Sequence, residues 1–344
     1  MKKVWLYSVR AYIKLGLFFY YKRVRVAFKT PLSSNEAILF VANHNNALMD
    51  ALLIAVHSGR FSYFLTRASV FQKPMIRAIL SSLNMLPVYR VRDGWTTITN
   101  NKQVFFECSK ILGRGDTVVI FPEGNHHINR TVRPVSKGFT RVVWETLKHN
   151  PNCNLKIVPI GLNYEQATDC ANSVFINFGT AIKAQAYTAE NITNATKLLK
   201  TDVWHALSRL TTHIPAAQYQ QTATKLQALG ANFLYPSAVN SCMASNFEKC
   251  HFPYQAKSPL LLKRLFKFLM ILLLLGPYMI WKLLVSPRIK DAAFKATFRF
   301  AIAIGLVPIW LALVAIFLML TFSGGIAVMY LVAVIIASML AIKL

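Results

Sequence analysis

A chain of 344 residues that is 54% hydrophobic and still carries a formal net charge of +26 combines two properties that seldom travel together. A basic, soluble nucleic-acid binder pairs its charge with fewer apolar residues and has no long apolar runs, so that class is excluded and no nucleic-acid partner is expected. The apolar residues crowd toward the C-terminus between clusters of cations. This pattern suits a protein held at anionic lipid headgroups, which attract each nearby Lys or Arg by about 1 kcal/mol.

Residues 1–34 form a first segment. Lys2, Lys3, Arg10, Lys14, Lys22, Arg23, Arg25 and Lys29 occur there without a carboxylate, interleaved with Trp5, Leu6, Tyr12, Ile13, Leu17, Phe18 and Phe19 at near-helical spacing. No charge-free run reaches the roughly 18 residues a membrane span needs. The pattern predicts a basic amphipathic helix lying in the membrane interface, the alternative being a helix docked on the protein's own core. Basic residues are scattered through this segment and no small-residue cleavage site follows, so no cleavable signal peptide is expected.

Residues 35–255 read as one domain, with its motifs in residues 35–180. The predicted strands are 37–42, 63–66, 117–121, 156–160 and 174–178, short runs rich in β-branched and aromatic residues and bounded by Gly, Pro, Asn or Asp. The predicted helices between them are 47–56, 74–83, 97–112 and 138–148. Strands alternating with helices imply an α/β fold whose mostly parallel sheet is covered by helices on both faces. Ligands in such folds gather at the carboxyl ends of the strands. Residues 181–255 are polar and mixed, with a helix predicted near 203–212, and read as a helical elaboration without chemistry of its own.

Residues 256–344 are the membrane region. The stretches 300–322 and 324–342 are each long enough to cross a hydrocarbon core of roughly 30 Å, with Ser323-Gly324-Gly325 as the turn between them. The run 268–285 is shorter, is broken by Gly276-Pro277 and contains Lys282. Cations flank it on both sides, so a simple span would place one cluster outside, against the positive-inside tendency. It is therefore expected to be re-entrant or in-plane, with three full spans as the alternative. The domain, both basic clusters and Lys343 then lie on the cytoplasmic face of a multi-pass protein. Five cysteines, an odd number without metal-ligand spacing, read as reduced thiols in a cytosolic compartment.

Four stretches carry chemistry. His44 directly follows a predicted strand, and Asp50 comes six residues later. Inside one helix, six steps of roughly 100° would set the two about 120° apart, out of reach of each other. If His44 instead occupies the turn and the helix starts near Asn46, Asp50 can reach back and fix the imidazole tautomer, leaving the other nitrogen as a base. Phe121-Pro122-Glu123-Gly124 again closes a strand, with a carboxylate expected to be exposed beside a glycine that lets backbone approach a ligand. Leu86-Pro87-Val88-Tyr89-Arg90-Val91-Arg92 offers two arginines whose forks suit phosphate. Val158-Pro159-Ile160-Gly161 has a proline that by itself indicates an edge or a strand end.

In this order and at these separations, the four stretches resemble the glycerolipid acyltransferase family, which includes the glycerol-3-phosphate and 1-acylglycerol-3-phosphate acyltransferases. The resemblance covers roughly residues 35–180. It implies a membrane-bound O-acyltransferase moving a fatty acyl group from a thioester to a glycerophosphate-type hydroxyl in phospholipid biosynthesis. It further implies His44 as the general base, Asp50 as its orienting partner, Arg90 on the acceptor phosphate, Glu123 and Gly124 on the acceptor, and Val158-Pro159 at the acyl-donor side. Arg130, Arg133 and Lys137 would add positive charge for the phosphates of the acceptor or of coenzyme A. No metal or cofactor is implied; the partners are membrane lipids and an acyl-CoA or acyl carrier protein thioester as co-substrate. Acyl transfer of this kind needs a base, charge stabilisation and positioning only. Position 45 is Asn, so no nucleophile for an acyl-enzyme accompanies the dyad.

Three departures from the family pattern stand out. Five residues separate His44 from Asp50 where most members have four, Asn84 stands near the place of a usual glycine, and Asn125-His126-His127 follows the glutamate motif. A catalytically inactive membrane-remodelling protein that retains the fold is the alternative from another class.

Overall fold

The computed structural model describes residues 1–33, 36–89, 99, 101–188, 191–253 and 259–344. In chain order the elements are α1 (Lys2–Tyr20), β1 (Arg23–Phe28), β2 (Ala37–Ala42), α2 (Ala47–His57), β3 (Ser62–Arg67), α3 (Pro74–Ser82), β4 (Met85–Val88), α4 (Asn101–Gly113), β5 (Thr117–Ile120) and α5 (Gly138–His149). They continue with β6 (Leu155–Tyr164), β7 (Ser173–Phe178), β8 (Ile182–Lys183), α6 (Ile192–Leu210), α7 (Tyr219–Ala228), α8 (Pro236–Ala244), α9 (Leu260–Leu273), α10 (Leu275–Met279), α11 (Lys295–Thr321) and α12 (Gly324–Lys343).

The strands form one sheet in the order β1-β7-β6-β2-β5-β3-β4, with β8 also on β6. Pairing is parallel except where β7 and β8 run against β6. This is the α/β architecture with a mostly parallel sheet that the alternating pattern predicts. Strand β2 shows why both faces must be covered. Its side chains alternate, Ala37, Leu39 and Val41 packing toward α4, α5 and α6, and Ile38, Phe40 and Ala42 toward α1, α2 and α11. All six are buried, and each large one contributes about 1.5–3 kcal/mol by leaving water.

Two of the three findings that follow depart from the sequence expectations. Residues 23–28, assigned to the interfacial segment, form strand β1 at the sheet edge beside β7. Their alternation of Arg and Val has the two-residue period of a strand, and the surrounding cations mask it. Helix α1 rests on the protein's own core through Leu17 and Tyr20 and leaves Val4, Trp5, Tyr12, Leu15 and Phe18 exposed, so it combines the docked alternative with apolar residues available to an interface. The five cysteines are not all thiols: Cys242 and Cys250 are joined in a disulfide, and Cys108, Cys153 and Cys170 are free. The bridge closes because Asn246 and Phe247 take left-handed backbone angles (φ 50° and 70°) and turn the chain back on α8.

Strand β6 runs straight through Pro159, a residue that suggested an edge or an end. Its antiparallel neighbours divide there, β7 pairing with residues 160–164 and β8 with residues 156–157. Pro159 O accepts Gly179 N at 2.8 Å in the gap, so the missing N–H faces the gap and costs no ladder bond to β2. Gly161 is required for a different reason. A Cβ there would lie 2.4 Å from the Leu210 carbonyl oxygen at the end of α6.

Two helical stretches, Ala292–Thr321 and Gly324–Lys343, are long and apolar enough to cross a membrane. Before them, Leu260–Leu273 and Leu275–Arg288 meet at a 97° bend. The cause is local. Pro277 has no N–H for the Leu273 carbonyl four residues back, and its ring crowds that carbonyl. Trp310 Nε1 (3.3 Å) and the Tyr330 hydroxyl (2.9 Å) donate to it instead. Gly276 lets the indole approach, since a Cβ there would meet the Trp310 ring at 2.4 Å.

Candidate active site

The central strands β2 and β5 end side by side, with Val41 opposite Ile120, while β6 pairs Ile160 with Ala42 and runs on to Tyr164. Functional residues gather at these ends: His44 after β2, Phe121 and Glu123 after β5, and Tyr164 as the last residue of β6. β2 has an earlier strand on neither side. The chain leaves it toward β3 and β5 and returns on the other flank as β6, which makes this the switch point where an α/β sheet opens a crevice.

His44 occupies the turn and α2 starts at Ala47, behind Asn46 as N-cap. Ala47 itself has φ 39°, in the left-handed region, which costs an L residue about 1–2 kcal/mol and tightens the turn. Asp50, in the first turn of α2 and fully buried, thereby faces back toward His44. Its Oδ2 accepts from His44 Nδ1, Asn45 N and Asn46 N, each at 2.8 Å, and its Oδ1 accepts from the Tyr164 hydroxyl. Burial first, and the charge of Asp50 second, raise the Tyr164 phenol well above its ordinary value and keep it a donor. A carboxylate can only accept, so Nδ1 carries the proton and Nε2 is the basic nitrogen. The ring is 15% exposed, stacked on Phe121 with centroids 4.1 Å apart and edge-on to His126 at 5.7 Å.

The turn is anchored on all sides. Asn43 exchanges two bonds with the backbone of Leu162, Asn45 donates to the carbonyls of His127 (2.9 Å) and Asn129 (3.0 Å), and Asn46 donates to Ala167 O (2.6 Å). His127 N returns a bond to His44 O at 3.0 Å. His126 reaches into the membrane region, its Nε2 lying 3.0 Å from Asp291 Oδ2 and its ring 4.6 Å from that of Phe294.

Glu123 is not the exposed carboxylate the sequence suggests; its side chain is 3% exposed. It accepts from Arg133 Nε at 3.0 Å and from the His44 backbone N–H. Burial pushes it up to about 7, against the pull of Arg133. Arg133 also donates to Asn125 O, so it is a positioned cation rather than a free one. Gly124, at φ 71°, turns the chain where a side chain would be strained.

Arg130 is committed to the carbonyls of Tyr164 and Glu165 (2.8 Å each) with its guanidinium 3.8 Å above the Phe233 ring, which removes it from the phosphate-binding candidates. Lys137 is exposed at the N-cap of α5. Arg90 falls outside the described residues; Tyr89 just before it is held by Asn101, which bonds both its N–H (2.9 Å) and its C=O (2.8 Å). Asn84 has φ 60°, a conformation natural to glycine that asparagine also tolerates, and this accounts for its standing in glycine's place. Sequence reasoning missed Tyr164 and Phe121 as partners of the dyad. Extending the strand through Pro159 by its alternation would have reached Tyr164. Among the described residues no group of three or more His, Cys, Asp and Glu is placed to hold a metal ion.

Residues 23–163 match the family model described as Acyltransferase. An uncharacterized acyltransferase of Schizosaccharomyces pombe is 26% identical over 117 residues, a match spanning 33% of this chain and 17% of that protein's length. The crystal structure of the 1-acyl-sn-glycerophosphate acyltransferase PlsC from Thermotoga maritima superposes with a TM-score of 0.43 at 18% identity, covering 60% of this chain and 79% of that one.

Proposed function

On the match of residues 23–163 to the acyltransferase family model, we propose that the chain transfers a fatty acyl group from an acyl thioester to the hydroxyl of glycerol-3-phosphate or 1-acylglycerol-3-phosphate in phospholipid biosynthesis. The observation that carries this reading is the His44–Asp50 contact at 2.8 Å, at the carboxyl end of a central strand. His44 Nε2 takes the proton of the acceptor hydroxyl as its oxygen attacks the thioester carbonyl. The C–O bond forms, the C–S bond breaks, and the imidazolium returns the proton to the departing thiolate. Asp50 holds the tautomer and stabilises the imidazolium. Glu123 acts through Arg133, whose remaining donors serve the acceptor phosphate together with Arg90.

The two helices long and apolar enough to cross a membrane support a reaction at a membrane, where the acyl chains of the product belong. We place the domain on the cytoplasmic side because cations flank the membrane segments at 257–267, 288–299 and Lys343, whereas the turn Ser323-Gly324-Gly325 has none. The Cys242–Cys250 bridge, a feature of oxidising compartments, weighs on the other side and counts for less than the many flanking charges.

The test offers detergent-purified protein one labelled acyl-CoA and each acceptor in turn, resolving the lipid products. Lysophosphatidic acid from glycerol-3-phosphate, or phosphatidic acid from the 1-acyl form, identifies the step. His44→Ala is expected to lose about 10²–10⁴-fold in rate; a variant as active as the parent overturns the assignment.

A further inference from the structure

A cleft of about 1240 Å³ opens between α5 and α6. It begins at Arg133, the partner of Glu123, and continues along Lys137 and Arg141 on one wall and Lys197 and Lys200 on the other. Among the described residues no carboxylate lines it. Lys137, Arg141 and Lys197 are exposed and Lys200 is half-buried. Trp144 and Trp204 form the aromatic part of the lining. Their indole N–H groups are already committed, to Thr196 Oγ1 at 2.9 Å and to Val132 O at 3.3 Å, which fixes the rings.

Resting on the thioester reading above, we infer that this cleft holds the nucleotide end of coenzyme A. The cations meet its diphosphate and 3′-phosphate, and a tryptophan face meets its adenine. Like charges gathered on the walls of a concavity focus their field and draw in a polyanion. Lys and Arg then bond its oxygens. The alternative donor, an acyl carrier protein, presents a convex protein surface and calls for cations on a raised or flat face. Here they line the walls of a recess with indoles inside it, the shape of a small-molecule site. The end at Arg133 lies beside Glu123 and the turn of His44, so a nucleotide bound along the cleft points its thioester arm at the base.

The experiment measures adenosine 3′,5′-bisphosphate binding to the full chain in detergent by calorimetry, and its inhibition of acyl transfer. Saturable binding and competition against acyl-CoA are expected. The double variant Lys197→Glu, Lys200→Glu, at one exposed and one half-buried lysine, is expected to raise the KM for acyl-CoA at least about tenfold, the scale of one lost charge-assisted phosphate bond. The double variant Lys102→Glu, Lys148→Glu, exposed on α4 and α5 outside the cleft, makes the same change of net charge and should leave KM alone. Absence of saturable binding, or an unchanged KM in the double variant, overturns the assignment. His44→Ala separates the two readings: it should bind the bisphosphate as the parent does while losing turnover. A parent protein that binds the bisphosphate yet transfers no acyl group sinks the acyltransferase reading instead.

Discussion

Strand β2 and helix α11 are both strongly apolar and are disposed in opposite ways. Every residue of β2 is buried between two layers of helices, whereas the most apolar stretch of Ala292–Thr321, with mean hydropathy 2.7, has none of its residues buried within the protein. Leu313, Ile316, Phe317 and Leu320 point outward. Hydrophobic content thus fixes that water must be excluded and leaves open what excludes it. For β2 it is protein, and for α11 the partner that fits is lipid.

The contrast can be broken at several points. The largest effect is expected just past the end of the buried strand, in the first turn of α2. Asp50→Ala removes the acceptor for four donors and should lower acyl transfer by about 10²–10⁴-fold while the protein still sediments with membranes. A variant that loses membrane association as well would show that the two regions are not separable. Next, Phe40→Ala should cost about 3–5 kcal/mol of folding stability in a denaturant titration. Leu313→Ala, of similar chemistry on the outward face, should change that titration little, and equal costs would mean that α11 packs on protein after all.

A smaller effect depends on pH. Glu123 holds its proton more tightly in the folded chain (up to about 7) than a carboxyl in the unfolded one. Its stabilisation is therefore full below about 4.5 and is lost as pH rises through about 7, by at most about 3 kcal/mol. Comparing thermal midpoints of the parent and Glu123→Gln across that window checks it, since the variant should lack this part of the decline. The smallest is Tyr164→Phe, which removes one donor from Asp50 and should slow turnover by about tenfold through roughly 1.5 kcal/mol. An unaltered rate would mean that the backbone donors of Asn45 and Asn46 suffice.

Much of the fold was legible because its signals are short-range. The alternation of apolar runs with helical stretches marks five of the strands, and the strand–turn–helix reading around His44 follows from helix geometry alone. What escaped depends on partners distant in the chain or on a signal that a second one masks. The burial of Glu123 is set by Arg133 and the His44 backbone, neither of which its own motif announces. β1 hides in a cationic segment, and β6 passes a proline tolerated only because two neighbouring strands part beside it. Tyr164 was lost with the end of that strand.

The carbonyl that Pro277 leaves without a partner carries an implication for biogenesis. In hydrocarbon an unanswered carbonyl costs several kcal/mol, and its two donors, Trp310 and Tyr330, lie on helices translated after it. The bent segment therefore cannot settle into its final shape as it leaves the ribosome. It is expected to wait near the interface until α11 and α12 arrive. Chains halted before residue 295 should accordingly leave residues 260–288 open to protease digestion that the full-length protein resists, and equal protection in both would show that the bend forms unaided.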